Sequence, residues 1–80
     1  MSLDLRVQYG VDTVTILEFD DGQRYEVARW TEDELETAGP ELQTVIENAE
    51  ELVKTDPERV LDILYGGRTE WERERENRKW

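Results

Sequence analysis

The apolar residues of this chain change their spacing at Thr31, and this change constrains the fold more than any other feature. Segment 3–9 alternates apolar and polar residues, and segments 13–19 and 24–30 are rich in β-branched and aromatic residues, as in strands. After Thr31 the apolar residues recur at helical spacing. Eighty residues form one domain at most. The pattern therefore predicts an α+β fold, with a three-stranded antiparallel β-meander followed by two to three α-helices packed on one sheet face.

The turn between the second and third strands determines which side chains face the core. A three-residue loop, with Asp20 and Asp21 in a type I turn and Gly22 in the left-handed region, suits these residue types. It pairs Leu17 with Tyr25 on one face. A two-residue loop would oppose Leu17 to a glutamate and would segregate apolar from charged side chains less well. Since such segregation specifies register, we expect the three-residue loop.

The helical half has clear start and stop signals. Residues 31–34, Thr-Glu-Asp-Glu, form a capping-box pattern. Residues 40–54 carry an apolar stripe with acids opposite, which predicts one continuous helix. Asp56-Pro57 begins a further helix, and Gly66-Gly67 ends it.

The last thirteen residues differ from the rest, because acids and bases alternate there with almost no apolar stripe. We therefore divide the chain into a single α+β domain, 1–67, and a mixed-charge C-terminal helix or tail, 68–80. Trp71 and Trp80 lie on opposite sides of any helix. Either Trp71 packs on the core and the remainder is exposed, or the tryptophans are anchors for a partner.

The negative charge is concentrated in one segment. The formal net charge is −11, and residues 31–53 contain eight acids and no base, whereas ordinary exposed helices mix charges of both signs. One interpretation is a solvated face that maintains solubility. The other is a recognition surface for a basic groove, because a row of carboxylates presents charge in the manner of a phosphate backbone.

The sequence lacks the residues that several catalytic mechanisms require. The chain has no His and no Cys, and its only Ser is Ser2, which excludes Ser-His and Cys-His nucleophiles. No carboxylate pattern indicates a buried acid–base pair or a cation loop, so we expect no enzyme, cofactor or metal site. The absence of long apolar runs predicts no membrane span or signal peptide and a cytoplasmic location. The acidic charge also argues against direct binding to nucleic acid or to membranes.

In size and charge, though not in any motif, the chain is similar to small acidic phage inhibitors of restriction, CRISPR and repair enzymes. The likeness implies a non-enzymatic, nucleic-acid-mimicking inhibitor or modulator that occupies the basic surface of a nucleic-acid-binding partner. The candidate partner-binding residues are Asp20, Asp21, Glu32, Asp33, Glu34, Glu36, Glu47, Glu50, Glu51, Trp71 and Trp80.

The alternative is a structural or assembly subunit. Its homomeric or heteromeric contacts would use the second sheet face, assigned to Val14, Ile16 and Ala28, together with the Trp-bearing tail. Salt distinguishes the two interpretations, because an electrostatic complex weakens as ionic strength rises and an apolar assembly does not.

Overall fold

A computed structural model describes residues 3–77, in which a three-stranded sheet is followed by five helices. The strands pair antiparallel in the order β1-β2-β3, and the helices pack on the sheet, so the predicted α+β meander is confirmed. The bounds are β1 (Leu5–Tyr9), β2 (Thr13–Asp20), β3 (Gln23–Thr31), α1 (Glu32–Glu36), α2 (Pro40–Glu47), α3 (Ala49–Thr55), α4 (Pro57–Tyr65) and α5 (Arg68–Asn77).

The predicted register of the β2–β3 hairpin is wrong. Asp20 pairs with Gln23 across a two-residue loop, in which Asp21 and Gly22 have φ of 50° and 76°. Two positive φ values define a type I′ turn, whose twist matches that of the flanking strands. Leu17 consequently lies opposite Glu26, the pairing that side-chain segregation disfavoured.

A β-bulge restores an apolar core further along this hairpin. The register shifts between Ile16 and Leu17, so Val27 is an extra residue on β3 and Ile16 lies opposite Ala28. Val27 and Ile16 are both completely buried. The bulge therefore allows β3 to place apolar side chains in the core, although the strand pairing next to the turn opposes Leu17 to Glu26.

The predicted assignment of the two sheet faces is wrong as well. Val14 and Ile16 belong to the buried core, and Ala28 packs against it, so these three residues do not form an uncovered second face. Because side chains alternate along a strand, Leu17 and Phe19 lie on the outer face, where both are half-buried. The core joins strand residues to helix residues: Leu5, Ile16, Val27, Trp30, Val45, Val53, Val60, Leu61 and Trp71.

The helix predicted over 40–54 is divided at Asn48 into α2 and α3. Asn48 has φ −111° and ψ 16°, outside the helical region, although its amide still donates to the carbonyl of Thr44 at 3.1 Å. The apolar stripe continues through the break, because Val45, Ala49 and Val53 are all buried. The orientation predicted for this segment is therefore correct, and only its continuity is not.

Candidate protein-binding surface

The acids of α1 are positioned by a capping box. The Thr31 hydroxyl accepts from the Glu34 amide at 3.3 Å, and the Glu34 carboxylate accepts from the Thr31 amide at 3.2 Å, as the sequence predicts. The Glu32 amide also donates to the carbonyl of Asp12 at 2.9 Å, which ties this short helix to the β1–β2 loop. We call Glu32, Asp33, Glu34 and Glu36, all exposed, the α1 acids.

The acids of α2 and α3 are positioned by the apolar side of those helices. Burial of Val45, Ala49 and Val53 turns the opposite side of each helix toward solvent. Three predicted site residues lie there and are exposed, and we call them the α2–α3 acids: Glu47, Glu50 and Glu51.

The acids of residues 31–53 have no basic partner within the described chain. No ion pair joins any of the eight, including Glu41, to a residue in 3–77. Glu50 and Lys54 have favourable i,i+4 spacing but form no pair. Outside this segment, ion pairs involve Asp4, Glu18, Asp20, Glu26, Glu58, Glu70 and Glu72.

The structure does not gather the candidate residues into one row. α1 contacts β3 whereas α3 contacts β1, and these strands flank β2 on opposite sides. The α1 acids and the α2–α3 acids therefore form two groups. Asp20 and Asp21 lie at the turn end of β2. The α1 acids lie near the other end, because the α1 cap residue Thr31 pairs with Thr13. At ~3.3 Å per residue, about 23 Å of strand separates the two ends.

Two of the candidate residues belong to a cluster that holds α5 on the sheet. The Trp71 indole Nε1 donates to Glu18 Oε1 at 2.9 Å, and Arg75 Nη1 donates to the same oxygen at 2.8 Å. Arg75 also donates to Asp20 Oδ2 at 3.2 Å and lies 4.7 Å from the centre of the Tyr25 ring. We call Glu18, Asp20, Tyr25, Trp71 and Arg75 the Glu18 cluster.

In the Glu18 cluster, two carboxylates share one guanidinium. Partial burial on its own would lower the pKa of Arg75, but the hydrogen bond that Arg75 donates to Glu18 and the charges of Glu18 and Asp20 raise that pKa above its ordinary value. The guanidinium therefore stays protonated and keeps both carboxylates paired. Asp20 is consequently less available to a partner than Asp21, which is exposed at the turn.

The structure describes only one of the two candidate tryptophans, Trp71. Trp71 is 1 % exposed and contacts the Tyr65 ring in a tilted arrangement with ring centres 5.0 Å apart, so it packs on the core and is not a surface anchor. Trp80 lies outside the described residues. The sequence pattern does not identify Glu18 as a site residue, because its alternation with Leu17 and Phe19 predicts a solvent-facing position.

Neither a metal centre nor a membrane span is found in residues 3–77. No group of three or more acidic side chains there is arranged to hold a metal ion. No helix in this part of the chain has the length and apolar character to cross a bilayer. Comparison of the chain with protein-family models, curated proteins and solved structures finds no match.

Proposed function

We propose that this protein is a non-enzymatic acidic binding module that occupies the basic, nucleic-acid-binding surface of a partner protein and thereby inhibits or modulates it. The observation that supports the proposal is the set of eight exposed acids in residues 31–53 without an ion-pair partner in the described chain. Unpaired carboxylates retain their full charge for steering and for pairing with a partner's Lys and Arg side chains.

The division of the acids into two groups shapes this proposal. α1 contacts β3, whereas α3, which carries Glu50 and Glu51, contacts β1, so we expect each group to contact a separate strip of basic residues on the partner. Within the α1 acids, Glu34 is already engaged by the cap of its helix. We therefore expect Glu32, Asp33 and Glu36 to make the electrostatic contribution of that group.

The test compares three variants that each remove three negative charges. The first carries Glu47→Gln, Glu50→Gln and Glu51→Gln. The second carries Glu32→Gln, Asp33→Asn and Glu36→Gln. The control changes three exposed acids that Arg68 and Arg73 already pair, with the substitutions Glu58→Gln, Glu70→Gln and Glu72→Gln.

The immobilised wild-type chain first captures proteins from an extract of its natural host at 50 mM salt, and 300 mM salt releases them. Each released protein is purified and loaded with fluorescent duplex DNA, and displacement of the duplex by each variant is then measured from its anisotropy. We expect the wild type and the control to displace the duplex, and the two acid variants to need about tenfold higher concentrations or more. Equal weakening by the control, or a partner that retains its DNA at saturating wild-type protein, would refute the proposal.

A second candidate function, an assembly subunit, is favoured by a different observation. Tyr9, the last residue of β1, and Val11, in the loop that follows it, are large apolar residues that are 56 % and 107 % exposed. The surface first assigned to this role is unsuitable, because Val14, Ile16 and Trp71 are buried. The exposed Tyr9 and Val11 instead favour self-association through β1 and the loop that follows it.

A further inference from the structure

β1 has one unpaired edge, and the hydrogen bonds at its ends show which backbone groups point there. In residues 3–77, β2 is the only strand beside β1. The Asp4 carbonyl accepts from the Phe19 amide at 2.9 Å, and the Gly10 amide donates to the Thr13 carbonyl at 2.9 Å. Because backbone direction alternates along a strand, even-numbered residues point toward β2. The amides and carbonyls of Leu5, Val7 and Tyr9 therefore point to the open edge.

The opposite edge of the sheet, along β3, is protected in ways that β1 is not. The bulge at Val27 interrupts the regular ladder, and the Tyr65 hydroxyl donates to the Val27 carbonyl. Bulges and covering side chains are devices that prevent a strand from joining another sheet. The β1–β2 pairing is regular over all five residues of β1, which contains neither proline nor lysine.

The rest of the chain covers the apolar side chains of β1 only in part. Val7 is half-buried and Tyr9 is exposed, and both share the alternation of the buried Leu5 within β1. Isolated exposed apolar residues are ordinary, but an alternating series along an open strand edge is a template for pairing with another strand.

We propose that the occupant of this edge is a second copy of the chain, paired antiparallel through β1 and centred on Val7. The two copies then form one six-stranded sheet around a two-fold axis, which is the commonest symmetry of a homodimer. Val7 lies opposite Val7 of the other copy, and Leu5 lies opposite Tyr9. The outward-pointing groups of these residues form six hydrogen bonds.

The charges along β1 favour this register over the neighbouring one. With Val7 at the centre, Arg6 lies opposite Gln8 and Asp4 opposite Gly10, so no like charges face each other. Centring the pairing on Arg6 would place two arginines directly opposite, which is destabilising. A shift by one residue would oppose outward-pointing groups to groups that β2 already binds.

A groove lies between β1 and α3, lined by residues 3–7 and by Glu50, Val53 and Lys54. Both copies carry their helices on the same face of the joined sheet, so the two α3 helices meet across the axis. The groove side of α3 presents one acid and one base, Glu50 and Lys54, neither of them ion-paired to any residue in 3–77.

The sharpest test changes Gln8, because its side chain is exposed and lies opposite Arg6 only in the dimer. Gln8→Glu creates two opposite-charge pairs per dimer, and Gln8→Arg creates two like-charge pairs. We expect the first to tighten the dimer dissociation constant by roughly 2- to 30-fold and the second to weaken it similarly. The controls, Gln23→Glu and Gln23→Arg, make the same charge changes at an exposed residue of the β2–β3 hairpin.

Sedimentation equilibrium of the full chain at 50 and 500 mM NaCl measures these constants. We expect the wild-type dimer to strengthen with salt, since each copy carries a net charge of −11, which is opposite to the salt response of a complex with a basic partner.

Amide hydrogen exchange supplies the second measurement. Raising the protein concentration should slow exchange at Leu5, Val7 and Tyr9 and leave Arg6 and Gln8 unchanged.

Three outcomes would overturn the inference. The first is a chain that remains monomeric at ~1 mM in 500 mM salt. The second is a dimer in which Gln8→Glu is no tighter than Gln23→Glu. The third is a dimer in which exchange at Val7 does not depend on concentration. Because these measurements involve no basic partner, they are independent of the proposed inhibitory function.

Discussion

Glu18 is a carboxylate with 5 % of its surface exposed, on a strand position that faces the helices. Burying an ionised carboxylate is costly unless it is paired and hydrogen-bonded. Here Trp71 supplies an indole N–H and Arg75 supplies a guanidinium at 2.8 Å. One side chain therefore connects β2 to α5, a helix whose only buried residue is Trp71.

Replacing Glu18 with Ala should destabilise the protein by about 3 kcal/mol, because it leaves the Trp71 N–H and the largely covered Arg75 without their shared acceptor. The control, Asp20→Asn, changes the more exposed acid that Arg75 also contacts and should cost less than about 1 kcal/mol. Urea unfolding followed by tryptophan fluorescence measures both. Similar losses for the two variants would show that α5 is not held through Glu18.

Among the elements, the β2–β3 hairpin shows how a turn and a bulge act together. The two-residue turn matches the strand twist but places Leu17 opposite Glu26. The bulge at Val27 then brings Ile16 opposite Ala28, with Ile16 in the core. The turn therefore sets the register, and the bulge adjusts it to the apolar pattern of the remaining strand.

This mechanism makes Gly22 sensitive to substitution. Gly22 has φ of 76°, and no atom lies within 4 Å of the position that a Cβ would occupy, so strain is the only local cost of adding one. We expect Gly22→Ala to lower the free energy of unfolding by about 1–2 kcal/mol. Gly39→Ala is the control, because Gly39 has equally open space and φ of −67°; it is the N-cap residue of α2, so its effect should stay below about 1 kcal/mol. Chemical denaturation that ranks Gly39→Ala as the costlier change would contradict the turn assignment.

At the scale of the whole molecule, charge is distributed unequally between the two halves of the helical layer. The acids of residues 31–53 have no ion-pair partner in the described chain, whereas α4 and α5 are linked through Arg68, which contacts Glu58 and Glu72. Unpaired like charges on adjacent helices repel one another and oppose folding. The same arrangement keeps the surface available to a basic partner.

Moderate salt should therefore stabilise the fold. Screening acts over about 8–10 Å at 0.10–0.15 M salt, so the unpaired acids lose most of their mutual repulsion while the largely buried Glu18–Arg75 pair is affected less. We expect the urea midpoint to rise between low salt and about 0.5 M NaCl. The rise should be smaller for the variant with Glu47→Gln, Glu50→Gln and Glu51→Gln. A midpoint that falls with salt would mean that favourable ion pairs outweigh the repulsion.

Local patterns were sufficient for much of this fold. The capping box at Thr31, the stop at Gly66 and the apolar stripe through Val45 and Val53 each depend on residues within a few positions of one another. The same stripe predicted correctly that Glu47 faces solvent. Order and type of the elements follow from such short-range signals, because capping bonds and helical periodicity are local interactions.

The orientation of the sheet was decided by tertiary contacts. Side-chain segregation within the hairpin favoured Leu17 on the core face and Glu18 in solvent, and the structure reverses both. The reversal is stable because the partners of Glu18, Trp71 and Arg75, lie more than fifty positions further along the chain and satisfy its charge. The same long-range packing separates the contiguous acidic segment into two groups, since α1 lies against β3 and α3 against β1. A strand's neighbours cannot reveal a compensating partner that only the folded chain brings within hydrogen-bonding distance.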